Sequence, residues 1–298
     1  MADLPEIYLD ILGPVAVLIV VGVAAGRWLQ LPPEPLAKLA YWIIGPAFMF
    51  DALAHAGLSS GALVRLATAS AVALAAAGAV SLVLTIRAER ARRTTVLTAS
   101  VWGNTGNFGL AIVIFTFDDR ALPYAAISLV VVNTLGLIIG IASSESGWSG
   151  LARAFTSPMT LVIAPALLVN GTDATLPPIL DRSIGLLAGA IIPVMLITLG
   201  IQLQRMGLPR IDGDVVVALL AKLLVQPVAA IGIALALGIE GQARGAVVLQ
   251  AAMPAAVFTA VLAIEQDTRP KEAATIVLAG TLASLATLPW FIMYARGG

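Results

Sequence analysis

Apolar residues along this chain run in blocks of about 20, the length an α-helix needs to cross a bilayer, with polar residues clustered between them. Ten blocks are expected to span: Ile11 to Gly26, Leu36 to Leu53, Ala62 to Ile86, Thr94 to Phe117, Tyr124 to Ala142, Pro158 to Val169, Ile184 to Leu203, Val215 to Gly238, Ala243 to Ile264, and Ala273 to Tyr294. Strands of a membrane barrel would alternate polar and apolar residues instead. The pattern therefore predicts an all-α polytopic membrane protein. The sixth block is short and carries Pro165.

One block is not uniformly apolar. Trp102-Gly103-Asn104-Thr105-Gly106-Asn107-Phe108-Gly109 puts three polar side chains and three glycines inside the run from Val96 to Phe117. Non-helical backbone at membrane depth survives only when it is buried in protein or lines a watery cavity. The stretch is therefore expected to break the helix and mark a site.

The two halves of the chain resemble one another. Leu31-Pro32-Pro33 followed by an apolar run to Pro46 returns as Leu176-Pro177-Pro178 followed by a run to Pro193, and Tyr124-Ala125-Ala126-Ile127 answers Glu272-Ala273-Ala274-Thr275 at an offset of 148. Five spans per half is an odd number, so the second copy enters the membrane from the opposite side. Such inverted repeats place a transporter's binding site at the repeat interface near the midplane. The expected division is residues 1–147 and 148–298, with the fourth and ninth helices broken and crossed. The 148 offset carries Gly106 and Asn107 onto Pro254 and Ala255, so the second break is expected at Ala252-Met253-Pro254-Ala255.

Composition agrees. The 298 residues are 59% hydrophobic, 11% charged, with mean hydropathy +0.98, well above the roughly 45–50% apolar content of soluble domains. Net charge is zero, so no nucleic-acid partner is expected. Cysteine is absent, which removes disulfides and thiolate metal sites. The first apolar block follows Asp3, Glu6 and Asp10 and precedes Arg27, unlike a signal peptide, and reads as a retained span. With the N-terminus outside, eleven Lys and Arg, including Arg87, Arg90, Arg92, Arg93 and Arg153, fall in cytoplasmic loops against five on the other side. The positive-inside rule then puts both termini outside the cytoplasmic membrane.

Two broken helices related by an in-plane twofold cross at their breaks. The half-helices starting near Asn107 and Ala255 would point their N-termini at the crossing, where unsatisfied N–H groups favour an anion. Asn104, Thr105 and Asn107 add amides and a hydroxyl, and Gln250 and Thr259 can add more from the second copy. The competing reading is that these polar residues are interhelical glue with glycines for close packing; glue needs neither three glycines nor a second break at the repeat-related position.

Gly103-Asn104-Thr105-Gly106-Asn107-Phe108-Gly109-Leu110 and Gln250-Ala251-Ala252-Met253-Pro254-Ala255-Ala256-Val257, supported by Gly45-Pro46-Ala47-Phe48-Met49-Phe50 and Ile192 to Gly200, resemble the bacterial branch of the auxin efflux carrier family, within the bile acid, arsenite and riboflavin transporter superfamily. The resemblance implies an elevator-type secondary carrier of a small organic anion. Helices 1, 2, 6 and 7 would form a scaffold that dimerises, and helices 3–5 and 8–10 a moving transport unit. Substrate contacts would fall on Asn104, Thr105, Asn107, Gln250, Met253 and Pro254. The segment from Ser143 to Ser157 is short where plant members carry a long insert, and Phe108 and Ala111 stand where many bacterial members have leucine and proline.

Other polar residues have two readings each. Lys222 lies within a span; it either snorkels to the cytoplasmic interface or stands in for a coupling cation. Asp51 and the single histidine, His55, end the second span, either at the interface or as a proton-coupling pair. Asn133 faces either the site or a neighbouring helix. Asp118, Asp119 and Arg120 read as a solvated turn, and Glu265 and Asp267 as a helix end or cation ligands. No cofactor is expected, with sodium or proton coupling open. The rival to a simple anion carrier is a sodium-coupled symporter of the bile acid type. A non-transporting receptor and an intramembrane enzyme are the remaining classes, the enzyme disfavoured by one His, no Cys and no acidic pair in a span.

Overall fold

In the computed structural model, residues 4–143, 156–172, 174–206 and 210–297 are described. The expected boundary between the halves, at residue 147, and Arg153 lie outside them. Among the described residues seven helices are long and apolar enough to cross a membrane: α1 (Leu4–Trp28), α2 (Pro33–Ala54), α3 (Ser60–Leu84), α5 (Asp119–Ser143), α7 (Pro178–Gln204), α8 (Gly213–Ala236) and α10 (Pro270–Gly297). Between them lie a shorter apolar helix, α6 (Pro158–Thr172), and two interrupted ones. These are α4a (Arg90–Val101) with α4b (Thr105–Phe117), and α9a (Gly241–Ala251) with α9b (Phe258–Glu265). No strand forms among the described residues beyond one isolated bridge.

Proline shapes three of the long helices. A proline ring clashes with the carbonyl four residues back and offers no N–H. In α1, α2 and α8 the helix widens into a π-turn directly before the proline, over Ile7–Leu12, Ala40–Ile44 and Ala221–Val225, ahead of Pro14, Pro46 and Pro227. The Gly45 and Gln226 N–H groups reach back five residues, to the Ala40 and Ala221 carbonyls. The extra residue per turn relieves the clash without ending the helix.

Two groups of helices emerge from the packing. In one, α1 lies along α7 and α2 packs on α6 and the start of α7. The first of these contacts is backbone on backbone: a Cβ on Gly22 would sit 3.0 Å from the Gly200 Cα and against the Ile197 carbonyl. In the other, α3 packs on α5, α8 and α4a, while α9a is held among α5, α8 and α10. Met195 of α7 touches the second group at Gly106 of α4b, where its Cε would lie 3.2 Å from an added Cβ.

Ion pairs tie the helix ends of the second group. Asp212 caps α8 by accepting from the Asp214 and Val215 N–H groups at 3.0 Å, and the buried Asp214 carboxylate accepts from the Arg92 guanidinium at the start of α4a. Arg269 joins Glu89 to Glu272, the latter at 3.1 Å. Losing one member of a buried pair leaves an uncompensated charge. Because Arg92 is 43% exposed, Arg92→Leu is expected to cost only about 1–2 kcal/mol in detergent unfolding, and Asp214→Leu in the same chain to recover most of it.

Asp118, Asp119 and Arg120 form the expected solvated turn. Arg120 donates to both Asp118 carboxylate oxygens through its side chain and to one through its N–H, which holds that carboxyl below the usual carboxylate range. Glu265 ends α9b exposed, and Asp267 follows it with φ 49°.

Candidate functional site

The two interruptions meet. α4a ends at Val101 and the chain becomes extended at Trp102, with φ −91° and ψ 99°. Gly103 pairs antiparallel with Ala255. The Ala256 N–H donates to the Trp102 carbonyl at 2.8 Å and the Asn104 N–H to the Pro254 carbonyl at 2.7 Å. This register asks Pro254 for an acceptor and never for the N–H it lacks. Backbone groups freed by unwinding thus satisfy one another across the crossing, as burial in a membrane protein demands.

The first break is shorter than the sequence predicted and the second is longer. The first unwinds only Trp102 to Asn104; Thr105–Gly109 is already a π-turn that opens α4b. The second runs from Ala252 to Val257, and its helix restarts at Phe258. The half-helix starts are therefore Thr105 and Phe258.

These two starts differ chemically. The Asn104 carbonyl accepts from Phe108 and Gly109 at 3.2 and 3.0 Å, while the N–H groups of Thr105, Gly106 and Asn107 precede any intrahelical acceptor. On the other side, Thr259 and Ala260 donate back to Ala256 and Val257 at 3.0 Å, and the Thr259 hydroxyl donates to the Ala256 carbonyl at 2.7 Å. The second start is thus largely closed by its own turn. The open, anion-favouring end belongs to α4b.

Lys222 does not snorkel. Its side chain is among the largest that are fully buried, with 1% of the residue exposed. Its Nζ donates to the Gln226 Oε1 at 2.6 Å, one turn along α8, and to the Ala251 carbonyl at 3.1 Å, at the last turn of α9a. It also presses on the first break: a Cβ on Gly103 would lie 2.8 Å from Nζ and 3.0 Å from Cε. Glycine at 103 is what lets a lysine reach the crossing. The π-turn of Ala221–Val225 carries this lysine, so the widening forced by Pro227 also sets its rotation about the helix.

Gln250 lies behind the crossing. It is 1% exposed, neither its amide oxygen nor its nitrogen has a partner, and its side chain fills the space a Cβ on Gly109 would take. With Ser70, Ser128, Val132, Gln226, Val247 and Ala251 it lines a narrow crevice between α3, α5, α8 and α9a. The Ser70 and Ser128 hydroxyls are 2.9 Å apart. Asn104 is 4% exposed and its amide nitrogen is also unpartnered. Unpaired buried polar atoms are costly and uncommon, so the Asn104 and Gln250 amides make the crossing a place where a polar ligand would gain hydrogen bonds.

The remaining candidates separate. Thr105 is fully buried with its hydroxyl 3.5 Å from the Gly103 carbonyl, and Met253 and Pro254 are buried at the second break. Asn107 is partly exposed on α4b. Asn133 accepts from the Trp102 indole N–H at 3.0 Å, and that ring tilts against Phe258 at 5.0 Å. Asn133 therefore anchors the break and does not line the polar space. Asp51 is elsewhere, at the end of α2, where His55 lies between it and Asp181 at 3.2 and 3.3 Å. Ser70, Ser128 and Gln226 were not among the sequence candidates. Gln226 had a signal, its i, i+4 spacing from Lys222 on a helix; single serines in alanine-rich helices had none.

Residues 149–292 match a family model described as a membrane transport protein. A relative from Methanothermobacter thermautotrophicus, described as an uncharacterized transporter, is 29% identical over 217 residues, covering 68% of this chain and 71% of its own length. Together with the long apolar helices these similarities support a multi-pass membrane transporter.

Proposed function

We propose that this protein is an elevator-type secondary carrier that moves a small organic anion, a carboxylate, across the cytoplasmic membrane. The observation that carries this reading is the antiparallel crossing of two unwound segments, with the open N-terminus of α4b, Asn104 and a buried lysine on one small volume. The ten helical segments would form two inverted five-helix repeats with both termini outside. The group of α1, α2, α6 and α7 would be the scaffold, dimeric, and the group of α3–α5 and α8–α10 the moving unit. Met195 against Gly106 would then be a contact across the sliding interface.

A sodium-coupled symporter is less well supported. Sodium sites need carboxylate and carbonyl oxygens, and the Ala251 carbonyl, a natural ligand at such a break, is occupied by the Lys222 nitrogen. The lysine stands where a coupling cation would bind.

Asn107→Ala is the test. Losing one hydrogen bond to a charged ligand costs about 1.5–3 kcal/mol, so carboxylate uptake in proteoliposomes should fall about tenfold to a hundredfold while the purified protein keeps its melting temperature. Undiminished uptake would remove Asn107 from the site.

A further inference from the structure

We infer that Lys222 binds a proton together with each anion, so that the carrier is an anion–proton symporter; this rests on the carboxylate reading above. A buried ammonium is tolerated only when paired and fully hydrogen-bonded. Lys222 is in no ion pair among the described residues, and its nitrogen has two acceptors, Gln226 Oε1 and the Ala251 carbonyl. Two acceptors match the two N–H bonds of a neutral amine. An ammonium has three, and among the described residues no third acceptor oxygen is bonded to it.

Other ionisable groups lie too far along the surrounding helices to serve. On α8 itself Asp214 is eight residues away, about 12 Å at 1.5 Å per residue, and is engaged by Arg92. On the helices packed around it, Arg65 lies near the start of α3, Arg90, Arg92 and Arg93 at the start of α4a, and Arg244 at the start of α9a. On α10, Lys271 and Glu272 sit at the start and Arg296 at the end, with Glu272 bonded to Arg269 and Arg296 to Glu6.

A carboxylate arriving at the open end of α4b meets the side of Gly103 against which the Lys222 nitrogen is packed. It supplies the missing acceptor and the opposite charge, which favours the protonated amine. By linkage, proton and anion then raise each other's affinity. The step balances: a proton from one aqueous face joins the nitrogen lone pair as the anion binds, the pair crosses, and both leave on the other face as the amine returns neutral. No uncompensated charge is moved through the protein in either leg for a singly charged anion.

The test uses the full chain in proteoliposomes loaded with a pH-sensitive dye, with the membrane potential held at zero by equal potassium on both sides and valinomycin, and with labelled malonate and terephthalate, both dianions, as probes. Uptake of a carried probe by the wild type should acidify the lumen, and one pH unit of inside-alkaline gradient should raise its accumulation about tenfold. Lys222→Arg keeps a permanent positive charge and should exchange the probe with no proton entry and no response to the gradient. If it proves inactive, calorimetric binding of the probe in two buffers of different ionisation enthalpy decides: proton uptake on binding for the wild type, none for the variant. Wild-type transport or binding of a probe without a proton, or proton uptake retained by Lys222→Arg, would overturn the coupling and leave the carrier intact. If the wild type neither carries nor binds either probe, the carboxylate reading falls and the coupling falls with it.

Discussion

Gly103→Val is expected to abolish carboxylate uptake and to lower stability by about 3–5 kcal/mol, the cost of leaving a buried charge or donor without its partner combined with overpacking. Even the first added atom would sit 2.8 Å from the Lys222 nitrogen, and the γ-methyls of valine reach further. The lysine is buried and would have to leave Gln226 and Ala251, while residue 103 itself is pinned by the bridge to Ala255. Lys222→Ala in the same chain removes the clash. The double variant should regain most of the lost melting temperature, measured by tryptophan fluorescence in detergent, yet remain inactive in proteoliposomes. Equal melting temperatures for the single and double variants would show that the glycine is not there for the lysine.

Gly200→Leu is expected to be at least as damaging to folding, with little monodisperse protein recovered. A Cβ at residue 200 would lie against the Ile19 carbonyl, 2.8 Å from the Gly22 Cα and 2.9 Å from the Val23 nitrogen. All three are backbone atoms, so no rotamer change relieves the contact. Without a hydrophobic driving force between helices in lipid, close van der Waals contact at small residues is a main source of their association. Separating α1 from α7 forfeits that contact along both helices. Size-exclusion profiles and thermal melts should show the loss, and Gly185→Leu on the same helix, where an added Cβ meets nothing within 4 Å, should not.

Much of this was legible in the sequence because the bilayer leaves few choices. Apolar blocks of spanning length mark helices, and glycine with asparagine inside one of them marks a break. The helical segments fall on the expected blocks, and both interruptions lie where the Trp102 and Met253 stretches put them. The second break was located as well: Ala252 to Ala255 lie within the unwound run from Ala252 to Val257. Which residues of the two breaks pair is set by which carbonyl and N–H can satisfy each other.

The placement of single side chains was not legible. Hydropathy reports that Lys222 lies in a span but not which way the helix is turned or what covers it, since rotation and depth come from packing against neighbours. The π-turn before Pro227 and the bare backbone at Gly103 bring that lysine to the crossing. The same holds for Gln250, which lies behind the crossing with its amide unpartnered, and for Asn133, which holds Trp102. Sequence alone determined that this is a helical membrane protein with two broken segments, because unsatisfied backbone cannot be hidden in lipid. Only the tertiary structure decided that a lysine sits where they cross, because that depends on helices many residues apart filling one small volume together.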